Sequence, residues 1–143
     1  MKKIALAADH AGYLLKGKII AYLTEKGYEC VNLGTDTADS VDYPVYANKL
    51  CESILSGECE CGILICGTGI GMSIAANRHK GIRAALCYDE NCEELTRQHN
   101  NANVLCLGAR VTENETAMKL VDKFLSTDYL GGRHDKRIAM LDE

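Results

Sequence analysis

Apolar residues fall along this chain in two alternating patterns. Short continuous runs occur at 3–8, 28–33, 63–65, 82–87 and 104–107, and a run of that length bounded by glycine or polar residues predicts a strand buried on both faces. Between the runs, apolar positions recur every three or four residues, the helical period. Leu14, Leu15, Ile19, Ile20 and Leu23 predict a helix over 13–26 that Gly27 closes. Further helices are predicted over 45–55, from Ser73 to Asn77, up to His99 with Asp89 or Asn91 as cap, and over 113–125, with a last short one starting near Gly131. Strands that alternate with helices through short loops predict a parallel sheet covered on both faces. The expected fold is therefore α/β, a three-layer α/β/α sandwich of Rossmann-like arrangement with a five-stranded parallel sheet. Residues 1–143 make one domain in this reading, since neither an internal repeat nor a linker divides them.

Composition narrows the partners. A net charge of −4 and tyrosines scattered through the chain leave no basic stripe interleaved with stacking platforms, which argues against nucleic acid. The opening MKKIALAADH starts like an export signal, but its apolar core stops at Ala8, before Asp9 and His10, as a strand would. No stretch approaches the roughly 20 apolar residues of a membrane span, so no membrane partner and a cytoplasmic location are expected. Eight cysteines are spread through apolar strands and helices, which favours reduced thiols over a disulfide framework. The pair Cys59-Glu60-Cys61 lacks the two-residue spacer of zinc knuckles, and no metal site is expected. Loop 34–44 carries Asp36, Asp39 and Asp42 without calcium-loop spacing, so a solvated loop is expected there.

The candidate chemistry gathers at strand ends, where ligands bind in sheets of this kind. Asp9 and His10 follow the first run, and Arg110 follows the last. After Ile65 comes Cys66, then Gly67, Thr68, Gly69, Ile70 and Gly71, three glycines at alternate positions before a helix of small residues. Glycine admits positive φ and close approach, so successive N–H groups can face one concavity and hold an anion. A thiol at the end of a strand and facing a helix N-terminus is where a thiolate is stabilised and its pKa lowered, although most free cysteines are inert core. Arg133 and Arg137 are four apart, which on a helix places two guanidinium forks on one face, suited to phosphate. His99, followed by Asn100 and Asn101, is a catalytic candidate or an exposed cap with equal support.

Asp9-His10, the run from Ile65 to Asn77, Arg97-Gln98-His99-Asn100, Asn103-Val104-Leu105 and Gly131-Gly132-Arg133-His134 together resemble the type B ribose-5-phosphate isomerase family, which also holds allose- and galactose-6-phosphate isomerases. The similarity spans nearly the whole chain. It implies an aldose–ketose isomerase acting on a phosphorylated sugar through a 1,2-enediolate, with no metal or organic cofactor. It further implies Cys66 as the base that moves a proton between C2 and C1, and His99 as the residue that opens the sugar ring. The amides from Gly67 to Gly71 would form an anion hole, with Thr68 positioning substrate oxygens. Asp9 would bind sugar hydroxyls, and His10, Arg133 and Arg137 the phosphate. Asn100 and Arg110 match residues that reach across a dimer interface, so a homodimer, or a dimer of dimers, with shared sites and a C-terminal helix completing them is implied.

Two other readings stand beside this one. Gly67 and Gly69 after a strand, with Asp89 about 20 residues on, resemble a dinucleotide fingerprint, but Met72 takes the third glycine's place and the turn follows the third strand. A non-catalytic nucleotide- or phosphate-binding module is that alternative. The other keeps the mechanism and changes the sugar to a hexose phosphate, with the chain as one subunit of a hetero-oligomer.

Overall fold

The run Cys61–Cys66, CGILIC, is the middle of the molecule, and every one of its residues is buried. Such a strand needs apolar cover on both faces, and the chain supplies it with helices on each side. The computed structural model describes residues 2–143; Met1, the first residue of the export-like opening, lies outside the described residues. In chain order the elements are β1 (Lys3–Ala8), α1 (Tyr13–Glu25), β2 (Glu29–Asn32), α2 (Tyr43–Leu55), β3 (Cys61–Cys66), α3 (Ile70–Ala76), β4 (Ala84–Leu86), α4 (Glu90–Asn100), β5 (Val104–Gly108), α5 (Asn114–Ser126) and α6 (His134–Met140).

The five strands are all parallel, in the order β2-β1-β3-β5-β4. Successive side chains on a strand point to opposite faces, which sorts the core into two layers. Ile4, Leu6, Ile63, Ile65, Leu105 and Leu107 pack with α1 and α5 on one face. Ala5, Ala7, Leu64, Cys66, Val104 and Cys106 pack with α2 and α3 on the other. This is the three-layer arrangement the pattern predicts. The outer order, with β4 beyond β5, has no signature in the sequence.

Helices α1 and α3 and strand β4 are among the elements that depart from their predicted form, and α6 begins at His134 instead of near Gly131. In α1 the buried stripe is Leu15, Lys16, Ile19 and Leu23, and Leu14 is 65% exposed. Lys16 takes its place on that stripe because Asn32 Oδ1 and Asp36 Oδ1 each accept from its Nζ at 2.6 Å, so the stem is buried and the ammonium satisfied. Helix α3 begins at Ile70 instead of Ser73, which draws Gly71 into its first turn. Strand β4 is short and half-buried, as befits the sheet's edge.

Because every strand runs the same way, the segments after them gather at one end of the sheet and the helices run back to the other. Asn103 marks that second end, where its carbonyl accepts from Gly62 N and its amide donates to Arg83 O. The end of α5 lies there too, since Lys2 Nζ donates to Leu125 O at 3.3 Å. No helix among the described residues is long and apolar enough to cross a membrane.

Candidate active site

The chain steps outward from β1 to β2 and then crosses back to β3, so the crevice beyond β1 and β3 is the topological switch point. Asp9 and His10 leave β1 there, and Cys66 ends β3. Asp9 is buried, and its Oδ1 accepts from the amides of Ala11 at 2.9 Å and Gly12 at 3.3 Å, which pins the turn into α1. Both of these bonds fall on one oxygen of the carboxyl. The Val41 amide donates to His10 Nδ1 at 3.2 Å. With that nitrogen an acceptor, the neutral ring carries its proton on Nε2.

The glycine turn is shaped around the Cys66 sulfur. Gly69 N donates to Cys66 Sγ at 3.1 Å, and Ile70 N donates to Thr68 Oγ1 at 3.2 Å. Two of the amides expected to face an anion are thus turned inward, and those of Gly67, Thr68 and Gly71 remain free for one among the described residues. Gly69 stands at φ +83°, where a Cβ would come within 2.5 Å of Leu86 Cδ1. Gly71 lies under the Tyr43 ring, 2.8 Å from where its Cβ would be. Arg110, which by the resemblance would reach across a dimer interface, instead crosses Gly67 of its own chain, its Cδ and Nη1 both 3.4 Å from the corresponding position. The Tyr88 hydroxyl donates to Thr68 O at 2.9 Å and ties the turn to the end of β4.

The remaining candidates lie at the opposite end of the sheet. His99 and Asn100 end α4, which has run back along the strands, and α6 packs beside them. The His99 and His134 rings stack with centroids 4.4 Å apart and planes at 17°. Burial, followed by His99 and then Arg133 and Arg137, holds His134 below its ordinary value. Arg133 occupies the N-cap position of α6 at φ −60° and ψ −18°, so the helical spacing to Arg137 holds, and both side chains are exposed. The loop into α6 is fastened by Leu130 N donating to Gln98 O at 3.1 Å. One chain therefore holds two groups of candidates. Asp9, His10, Cys66 to Gly71 and Arg110 share one end, and His99, Asn100, Arg133 and Arg137 share the other. The six residues of β3 set them about 17 Å apart or more.

Residues 4–141 match the ribose/galactose isomerase family. The chain belongs to that family. Ribose-5-phosphate isomerase B of Escherichia coli is 48% identical over 141 residues, 99% of this chain and 95% of its own. Among solved structures, a ribose 5-phosphate isomerase from Thermotoga maritima is 55% identical with a TM-score of 0.97, covering 99% of this chain and 97% of that one. Ribose-5-phosphate isomerase B from Clostridium thermocellum is 46% identical, also at 0.97, covering 98% and 95%. As a member of this isomerase family the chain is an enzyme.

Within this ribose/galactose isomerase three residues join the site that the residue pattern alone did not single out. His134 was visible only as part of a motif, and its buried ring against His99 gives it a place in that group. Tyr43, over Gly71, and the Val41 amide, on His10, carry no local signal. Both come from a loop and helix start distant in sequence, so only the folded chain brings them in.

Proposed function

We propose that the chain interconverts ribose 5-phosphate and ribulose 5-phosphate through a 1,2-enediolate, as a homodimer whose sites are each built from both subunits. The observation that carries the reading is the Cys66 sulfur, seated at the switch point, with the Gly69 amide aimed at it. The thiolate is the form of a cysteine that takes a proton. Cys66 removes the proton from C2 of the open-chain aldose, and charge moves onto the C1 oxygen. The free amides of the glycine turn stabilise that oxygen, a proton passes from the C2 hydroxyl to the C1 oxygen, and the proton held by Cys66 returns to C1 as the ketone forms at C2. Thr68 positions the substrate oxygens and Asp9 binds the sugar hydroxyls. His10 donates from Nε2 to the phosphate, with Arg110 beside it.

Ring opening needs an acid–base group, and His99 is the candidate. Since His99 lies about a strand's length from Cys66 in its own chain, the partner subunit's His99 serves this site, together with the partner subunit's Asn100, Arg133 and Arg137. The C-terminal helix then completes the neighbouring site. A cytoplasmic location accords with eight cysteines that are all free.

The family's own description spans ribose and galactose, which favours keeping a hexose phosphate as second reading. Turnover of ribose 5-phosphate, allose 6-phosphate and galactose 6-phosphate, followed side by side by NMR of the sugar, tests both. Preferred conversion of ribose 5-phosphate supports the proposal. Preference for a hexose phosphate transfers the same mechanism to that sugar, and no turnover of any points to a missing partner subunit or a binding module.

A further inference from the structure

Next to the tie between Tyr88 and Thr68, two thiols meet across the edge of the sheet. Cys87 follows β4 and is buried, while Cys92 lies in the first turn of α4 and is half-buried. Their Sγ atoms are 3.5 Å apart. The four residues between them, Tyr88 to Asn91, are exposed, and the segment is held by the Tyr88 hydroxyl on Thr68 O and by Asp89 Oδ1, which accepts from Cys92 N at 2.8 Å. Beside the pair sits Glu93, fully buried, with Oε2 lacking any hydrogen-bond partner among the described residues. A buried, half-satisfied carboxyl is costly, and nothing in the proposed isomerisation uses it. Among the described residues no group of three or more His, Cys, Asp or Glu side chains is placed to hold a metal ion.

We propose that Cys87, Cys92 and Glu93 form a thiol–disulfide exchange site that reacts with a small-molecule disulfide of the glutathione class. Cys92, the accessible thiol, loses its proton to solvent and attacks one sulfur of the small disulfide. A mixed disulfide forms on Cys92 and one small thiolate leaves. Glu93 then takes the Cys87 proton, Cys87 Sγ attacks Cys92 Sγ, and the second small thiolate leaves and is protonated. Two protein thiols are oxidised to one disulfide, and the small disulfide is reduced to two thiols.

The geometry asks for modest movement, from 3.5 Å to the bonded separation of about 2.05 Å. Burial pushes Glu93 up to about 7, which suits it to accept and pass on a proton near neutral pH. Burial, and then the Glu93 charge, push the Cys87 thiol up, so it stays protonated until that transfer and acts second.

The test is to equilibrate the full chain with oxidised and reduced glutathione, quench in acid, count free thiols and map the linked peptides by mass spectrometry. The wild type is expected to lose two thiols, to show a Cys87–Cys92 link and to recover both with dithiothreitol, whereas Cys92→Ser keeps Cys87 reduced. In Glu93→Gln the Cys92–glutathione adduct is expected to accumulate, with closure at least about tenfold slower. A stable wild-type adduct on Cys92 with Cys87 free overturns the pair, as does oxidation of Cys30 while Cys92 stays reduced. Unchanged closure in Glu93→Gln removes Glu93 from the site. The wild-type mapping needs no variant and decides the pair even if Glu93→Gln fails to fold.

Discussion

Cys66 and His99 sit at opposite ends of the sheet, Cys66 closing β3 and His99 lying in the last turn of α4, which runs back against the strands. If the two serve one reaction, they do so from different subunits. Cys66→Ala and His99→Asn chains, each inactive alone, are then expected to regain about a quarter of wild-type turnover when mixed equally and allowed to exchange subunits. About half of the dimers are mixed, and each carries one intact site. Continued inactivity after subunit exchange has been demonstrated would return both residues to a site within one chain.

Cys66→Ala removes the proposed base and leaves Asp9, His10 and Arg110 in place. Turnover should fall by about 10²–10⁴ or more, while a non-reacting sugar-phosphate analogue binds within a few-fold of wild type by calorimetry. Substantial remaining turnover would take the proton transfer away from the thiol.

Gly69→Ala places a Cβ at positive φ and 2.5 Å from Leu86 Cδ1, with the Leu107 carbonyl carbon at 3.0 Å. Destabilisation of about 1–3 kcal/mol is expected in urea melts, with turnover lost as the amide swings away from Cys66. Gly57→Ala is the control, because its φ of +84° costs strain while nothing lies within 4 Å of the added carbon. Equal effects of the two on stability would place the cost in φ alone.

Glu93 gives stability a signed pH dependence. Burial raises it from an ordinary 4.5 to about 7, so as pH rises the unfolded chain releases this proton first. Between those values the unfolded state binds fewer protons than the folded one, and stability falls with rising pH. The contribution is complete below 4.5 and lost as pH passes about 7. His134, held below its ordinary value, acts with the opposite sign as pH falls through 6.5. The difference between wild type and Glu93→Gln isolates the carboxyl: the variant should gain on wild type by about 3 kcal/mol between pH 4.5 and 8. A constant difference across that range would mean that Glu93 titrates normally.

The fold was largely legible from apolar spacing. Runs such as Ile63–Ile65 and the helical repeat of Leu15, Ile19 and Leu23 are set by near neighbours in the chain, and both appear as expected. Lys16 was hidden because a lysine on an apolar stripe is buried only if partners wait for its ammonium, and Asn32 and Asp36 come from the next strand and loop. Arg133 and Arg137 could be placed on one helix, but nothing local says against which element α6 packs.

The candidate site divides the same way. The alternation of strand and helix, the glycine turn behind Cys66 and the gathering of Asp9, His10 and Arg110 at one end of the sheet follow from the sequence alone, because period, glycine placement and parallel connection are properties of short stretches of chain. That β4 lies outside β5, that α6 stacks His134 on His99, that Val41 sets the His10 tautomer and that Cys87 meets Cys92 were decided only in the tertiary structure. Each is a contact whose geometry depends on how separate elements pack, and no periodicity within either element encodes it.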